Sequence, residues 1–257
     1  MQKSAIEHLV TLLAKELLTD SESFESMARE YANNLSTDDF SMLQIILHNP
    51  PTVHPDIQQD KPGLGGWLAA CQYAVFELLY CMDEKALSFL KSTAYGKYDW
   101  TQATALEVMC RLYVDGKVSA DVITEIDHRL NGMRHETHLY LAQGLLNRKK
   151  KDERYHGVIT QITSVDFRLA LSELGALPRL TRDELIAIGK RIMKSDGNEE
   201  EINKLQELFD RNVPHPTGSG LFYWPENYHH DKDDITEYNP TVEEIVDKCL
   251  SYKPIIL

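Results

Sequence analysis

Residues 98–116 read YDWTQATALEVMCRLYVDG, and this stretch decides the fold. Its apolar side chains between Leu106 and Tyr113 are three, one and three positions apart, so they lie along one side of an α-helix. Two alanines earlier in the stretch leave room for a neighbouring helix to approach closely. Asp99 can cap the helix N-terminus, where the helix dipole favours a carboxylate. The stretch therefore predicts one helix within a stack of helices, without a catalytic role.

Helical spacing extends outward from this stretch in both directions, and strict alternation of apolar and polar residues is hard to find. One segment is ambiguous, because Val158–Ile162 would also suit a short strand. Thr181 is expected to cap one helix, and Pro240 is expected near the first turn of a final short helix. Gly96 is expected to end a helix in the left-handed conformation, and Gly175 to end another. The pattern predicts an all-α fold.

Two long breaks rich in proline and glycine, at residues 48–66 and 213–239, interrupt the helical pattern. They predict three regions, which are an N-terminal helical cap (1–50), a helical repeat body (63–212) and an aromatic and acidic C-terminal extension (213–257) with a short final helix.

The predicted body contains two helix–turn–helix units, in which Leu79-Tyr80 corresponds to Leu112-Tyr113. A period in the range of roughly 30–47 residues is typical of α-solenoids. The second unit, YGKYDWTQATALEVMCRLYVDGKVSADVITEI, resembles a HEAT-type repeat, with an aspartate near its start, alanines in its first helix, a short turn and a second amphipathic helix. The resemblance covers Gly63–Met133. It implies a HEAT/ARM-like right-handed superhelix of antiparallel helix pairs.

The charge of the chain is unevenly distributed. The formal net charge is −13, and residues 196–257 alone hold 14 Asp and Glu against 5 Lys and Arg. An acidic surface repels phosphate backbones, which argues against nucleic acid as a ligand. It favours a basic protein partner, mainly by raising the association rate, although a role in solubility alone would give the same charge.

The N-terminus and the cysteines predict a cytoplasmic protein. The first 18 residues lack a long apolar region and a cleavage site of small residues, so we expect no signal peptide. No apolar run approaches the roughly 20 residues that cross a bilayer, so we expect no membrane partner. The four cysteines include no C-x-x-C pair and three lie in apolar helical patterns, which predicts reduced thiols.

Two histidine-containing clusters could bind a metal. His135 and His138 lie on one helical turn, but the zincin motif needs histidines four positions apart and these are three apart. His229 and His230 precede three aspartates within residues 228–234. We interpret both clusters as surface residues, and we predict no metal and no cofactor. The sequence contains neither a G-x-S-x-G motif nor a glycine-rich phosphate loop, which favours a protein that is not an enzyme.

The most unusual segment is VPHPTGSGLFYWPENYHH, residues 213–230. Phe222, Tyr223 and Trp224 are consecutive in a loop rich in proline and glycine, and such aromatic residues often anchor interfaces. The alternative is that the loop folds back and the rings cover the end of the helical stack. The residues that we predict to contact a protein partner are Tyr223, Trp224, Asp231, Asp233, Asp234 and Glu237.

The final residues, NPTVEEIVDKCLSYKPIIL, resemble the C-terminal segment of bacterial repeat proteins, some of which neutralise a partnered toxin. The resemblance implies a protein-binding module without catalysis, of the acidic immunity or antitoxin type, acting on a basic partner. Two alternatives stay open, which are a metal-dependent hydrolase that uses the histidine clusters and a scaffold subunit of a larger complex. The sequence leaves the oligomeric state open.

Overall fold

The structure is a computed structural model that describes residues 3–19, 22–57, 64–176, 180–229, 235 and 237–253. These residues form helices joined by turns and loops, and none of them lies in a strand. The predicted all-α class is therefore confirmed. No helix within these ranges is long and apolar enough to span a bilayer.

The chain divides into two compact units, Met1–Ile162 and Thr163–Leu257. Unit 1 contains short 3-10 turns at Thr37–Asp39 and Asp83–Ala86, together with these α-helices: α1 (Lys3–Thr19), α2 (Phe24–Ala32), α3 (Phe40–His48), α4 (Leu64–Cys81), α5 (Leu87–Ala94), α6 (Thr101–Val114), α7 (Asp121–Leu130), α8 (His135–Lys149) and α9 (Arg154–Gln161). Unit 2 contains α10 (Val165–Glu173), α11 (Arg182–Lys194), α12 (Glu199–Asn212), a 3-10 turn at Gly218–Phe222, and α13 (Val242–Ser251). The ambiguous segment before Ile162 is helical, as part of α9.

Helix α6, from the stretch quoted first, packs against α4, α5 and α8. Its apolar side includes Leu106 and Met109, which are fully buried. The Asp99 carboxylate accepts a hydrogen bond from the backbone N–H of Thr101 at 2.9 Å, so the predicted cap is present. This helix therefore forms the middle of unit 1, as its small and apolar residues predicted.

One buried and one partly exposed ionic contact join α6 to the long helices α4 and α8. The Arg111 guanidinium donates two hydrogen bonds to the Glu77 carboxylate of α4, at 2.8 and 2.9 Å, and lies 3.7 Å from the centroid of the Tyr80 ring. Arg148 of α8 donates to Glu107 of α6 at 2.8 Å. The order α4, α6, α8 is thus fixed by ionic contacts as well as by apolar packing.

The N-terminal helices α1, α2 and α3 all pack on α4, and they belong to the same unit as the helices that follow. The division after Ile162 lies inside the segment 63–212 that we predicted as one repeat body. The three predicted regions stay predictions.

The prediction that Gly96 has the left-handed conformation was wrong. Gly96 does not have a positive φ, whereas Gly175 does, at 64°. A side chain at position 96 would instead place its Cβ 2.6 Å from the carbonyl oxygen of Ser92, so a close approach of backbone requires this glycine. Helix α13 begins after Thr241, whose hydroxyl forms a capping box with Glu244, and Pro240 lies just outside the helix.

Unit 2 has its own apolar core, formed by side chains from α10 to α13 and from the Gly218–Phe222 turn. The Phe209 and Phe222 rings meet edge to face, with centroids 5.1 Å apart. A Cβ at Gly189 would lie 2.8 Å from the Phe222 ring, so α11 needs a glycine where that ring packs. The helices α11 and α12 begin with side-chain caps at Thr181, as predicted, and Asn198. The Gly218–Phe222 turn is therefore part of the core of unit 2, through Leu221 and Phe222.

Candidate partner-binding surface

The start of the aromatic segment is held on α12 by one carboxylate. Asp210 accepts hydrogen bonds from the Ser219 backbone N–H at 2.6 Å and from the Ser219 hydroxyl at 3.1 Å. Gly218 has φ +47°, and a Cβ there would lie 2.2 Å from the Asp210 carboxylate. Both the backbone conformation and the close approach therefore require glycine at position 218.

The three consecutive aromatic residues have different environments. Phe222 is buried, with 4% of its surface exposed, whereas Tyr223 and Trp224 are 39% and 47% exposed. One ring thus enters the core and the next two face solvent, and the role of the exposed rings as interface anchors stays a prediction. The physical reason is that a turn directs successive side chains to different sides, so a single buried ring can fix the position of its neighbours.

The two exposed rings are supported by side chains. The Gln206 amide of α12 donates a hydrogen bond to the Tyr223 hydroxyl oxygen at 3.2 Å. Trp224 stacks on Tyr228, with centroids 5.0 Å apart and planes inclined by 19°. These contacts restrict the rotamers of Tyr223 and Trp224 before any partner binds, and such restriction lowers the entropy cost of association.

Contacts from the C-terminal part of unit 2 hold the other side of the segment. The Tyr238 hydroxyl donates to the Leu221 carbonyl oxygen at 2.6 Å. Lys248 of α13 forms an ion pair with Glu226 at 3.0 Å, and this hydrogen bond holds the pKa of the Glu226 carboxyl below its usual value. The segment from Gly218 to Tyr228 is therefore attached to α12, α13 and the chain before α13.

Acidic residues lie on the same helix that supports Tyr223. Glu199, Glu200 and Glu201 form the first turn of α12, and all three are exposed. Glu201 takes part in the capping box. Glu199 is seven positions, or about two helical turns, before Gln206, so Glu199 and Gln206 lie on the same side of α12. One side of unit 2 thus presents carboxylates and aromatic rings together.

The predicted contact residues are only partly placed. Tyr223, Trp224 and Glu237 are exposed, while Asp231, Asp233 and Asp234 lie outside the described residues. Their roles in binding stay predictions. The sequence analysis missed the supporting residues of this surface, which are Gln206, Asp210, Tyr228 and Tyr238. The aromatic character of Tyr228 and Tyr238 was a signal in the sequence for those two residues. Gln206 and Asp210 are recognised only by their long-range contacts, which the sequence does not show.

The interpretation of His138 as a surface residue was wrong. Its side chain is fully buried, because position 138 lies on the inner side of α8. Its Nδ1 and Nε2 atoms lie 2.9 and 3.0 Å from the carbonyl oxygens of Arg134 and Leu130. Both nitrogens therefore face backbone acceptors, which leaves neither of them directed at a metal ion. His135 and His229 are exposed, and His230 lies outside the described residues.

The described ranges contain no group of three or more His, Cys, Asp or Glu side chains arranged to hold a metal ion. Residues 230–234 of the second histidine cluster lie outside these ranges, so the hydrolase alternative stays open.

One protein-family model matches part of the chain that contains this surface. The sequence model of the family "Colicin immunity protein / pyocin immunity protein" matches residues 177–248, which extend from before α11 into α13 and include the aromatic segment. No solved structure matches the chain. A segment of 78 residues, 30% of this chain, is 31% identical to the uncharacterized protein YezA of Bacillus subtilis (strain 168) and covers 97% of that protein. Through this segment, the chain belongs to the same protein family as YezA.

Proposed function

We propose that unit 2 is a protein-binding module of the immunity type, which neutralises a basic toxin by covering part of its surface and has no catalytic activity of its own. One observation carries this proposal. Two large aromatic side chains, Tyr223 and Trp224, are held exposed beside the acidic α12, within the residues that match the immunity protein family.

The chemistry of this surface suits a protein partner. Exposed aromatic side chains supply large contact areas and act as hot spots when a partner buries them. The carboxylates around them contribute less to affinity, but they accelerate the approach of a cationic partner at low salt. A surface of this kind binds through contact and charge, and it requires no cofactor.

Trp224→Ala is expected to weaken binding to the partner by about 2 kcal/mol or more, because it removes a ring that the partner would bury. The probes are purified toxic domains of colicins and pyocins, and the measurement is titration calorimetry with the full chain. Trp100→Ala is the matched control, since Trp100 is an exposed tryptophan in unit 1. Equal affinities of the two variants for a domain that binds the wild-type chain would contradict the proposed contact site.

A second experiment tests neutralisation itself. Proteins captured from the native host by the wild-type chain, but not by a Tyr223→Ala/Trp224→Ala variant, are expressed in a test bacterium with and without the chain. We expect a basic protein whose expression stops growth, with rescue by the wild-type chain only. Captured proteins that leave growth unaffected would favour the scaffold alternative, and a captured acidic protein would contradict the charge argument.

For unit 1 we propose a HEAT/ARM-like right-handed superhelix of antiparallel helix pairs. The packing of α4 on α6 and of α6 on α8, with ion pairs at both junctions, supports this arrangement. We propose the bacterial cytoplasm as the place of action, in keeping with four free cysteines, of which three are buried.

A further inference from the structure

A cavity of about 320 Å³ lies in unit 1, between the end of α5 and the turn that joins α7 to α8. Its lining includes Tyr95, Tyr98, Gln102, Arg129 and Arg134, together with two glycines and two apolar side chains. The lining contains two arginines and, among the described residues, no carboxylate. The lining of the cavity is therefore positively charged, whereas the chain as a whole has a formal net charge of −13.

Each of the two arginines lies over an aromatic ring of the same cavity. The Arg134 guanidinium is 4.2 Å from the centroid of the Tyr98 ring, and that of Arg129 is 5.3 Å from the centroid of Tyr95. Both arginines are exposed, and within the described part of the chain neither is within ion-pair distance of an Asp or Glu. A guanidinium held by its face on a ring keeps its N–H donors in the plane of the group, where an anion can accept from two of them.

The Tyr95 side chain adds a polar group without a partner. Its hydroxyl oxygen is buried and makes no hydrogen bond within the described structure, although burial of such a group without a partner is unfavourable. Burial raises the pKa of this hydroxyl, so it remains a donor. Because this oxygen is inaccessible to solvent, it does not face the open part of the cavity, and the anion contacts proposed below come from the two arginines.

The buried His138 side chain and backbone hydrogen bonds hold the turn that joins α7 to α8. The ring nitrogens of His138 lie 2.9 and 3.0 Å from the carbonyl oxygens of Arg134 and Leu130, which flank the turn. The backbone N–H groups of Gly132 and Met133 also donate to the Leu130 carbonyl oxygen. The backbone between the two arginines is therefore held in place by contacts within unit 1.

Exposed aromatic rings continue outward from the cavity. The Tyr98 and Trp100 centroids are 6.5 Å apart, and those of Trp100 and Tyr140 are 5.7 Å apart. Trp100 is 64% exposed and Tyr140 is 50% exposed, so a planar group can stack on them.

We propose that this cavity binds a small anionic ligand, with a phosphate or carboxylate group held between Arg129 and Arg134 and a planar ring stacked on Trp100. A mononucleotide and an aromatic carboxylic acid both have this chemistry. The site lies within unit 1 and is independent of the immunity function proposed for unit 2.

The probes are inorganic phosphate, benzoate, adenosine 5′-monophosphate and adenosine, titrated into the full chain at low ionic strength by calorimetry. Adenosine 5′-monophosphate is expected to bind about ten-fold more tightly than phosphate, because its base adds a stacking contact. Benzoate is expected to bind and adenosine is not. The mononucleotide should also quench tryptophan fluorescence in the wild-type chain, and this quenching should be absent in Trp100→Phe.

Arg129→Gln and Arg134→Gln are each expected to lower the affinity for phosphate and for the mononucleotide at least about ten-fold. Arg29→Gln is the matched control, because Arg29 is an exposed arginine of unit 1 that does not line the cavity. Arg134→Lys keeps the charge but removes the planar group, so it should restore part of the affinity. Circular dichroism checks that each variant is folded.

Three results would overturn the proposal. They are the absence of binding by every charged probe at 5 mM, adenosine binding as tightly as its monophosphate, and wild-type affinity in both arginine-to-glutamine variants.

Discussion

Replacement of Glu77 by alanine is expected to lower the free energy of unfolding by about 3–5 kcal/mol, because it leaves the buried Arg111 guanidinium without its carboxylate. The Tyr80 ring beneath the guanidinium cannot replace the two charge-assisted hydrogen bonds. Urea unfolding measures the loss. Trp67 is buried in unit 1, so its fluorescence reports the unfolding of this unit. The other two tryptophans are replaced by phenylalanine in all variants, so that Trp67 is the only tryptophan that contributes.

Two variants separate this effect from a general loss of packing. Glu107→Ala removes a similar pair whose arginine, Arg148, is about one-third exposed, and it is expected to cost about 1 kcal/mol. The double change Glu77→Leu/Arg111→Met removes both charges together and should be nearly neutral. A cost below about 1 kcal/mol for Glu77→Ala alone would show that water reaches Arg111 and that the pair is not buried in solution.

Phe222→Ala is expected to destabilise unit 2 by about 3–5 kcal/mol, because it leaves a cavity beside Phe209 and above Gly189. Trp224 fluorescence during urea unfolding, with the other tryptophans replaced by phenylalanine, reports on this unit. The matched control is Tyr223→Ala, which removes a neighbouring ring that is 39% exposed and should cost about 1 kcal/mol or less.

The same pair of variants separates stability from binding. Tyr223→Ala should leave the fold intact and weaken partner binding. Phe222→Ala should destabilise the fold and also weaken partner binding. Equal stabilities of the two variants would mean that Phe222 is not a core residue, and the account of how the exposed rings are held would then be wrong.

Local features of the sequence predicted the elements of this fold well. Helix α6 follows from the spacing of Leu106 and Met109, and the caps at Asp99 and Thr181 follow from residues that accept hydrogen bonds from the first helical turn. Helix spacing and helix caps depend on residues that are close to one another in the sequence, so they can be recognised without knowledge of the tertiary structure. The division into two units after Ile162 has no such local marker.

Features that depend on contacts between distant residues could not be predicted. His138 was taken as a surface residue because polar residues surround it in sequence, yet α8 turns it inward onto the carbonyl oxygen of Leu130. In the same way, the order of Phe222, Tyr223 and Trp224 does not reveal which ring is buried. Asp210 and Gly189 decide this, and they are recognised only after α11 and α12 have been placed.

The juxtaposition of one buried ring and two exposed rings has a consequence for divergence after gene duplication. Since Phe222 supplies the internal anchor, the side chains at positions 223 and 224 can be exchanged without loss of the scaffold. A duplicated copy could thus acquire a new recognition specificity through one or two codon changes while its ability to fold is inherited unchanged.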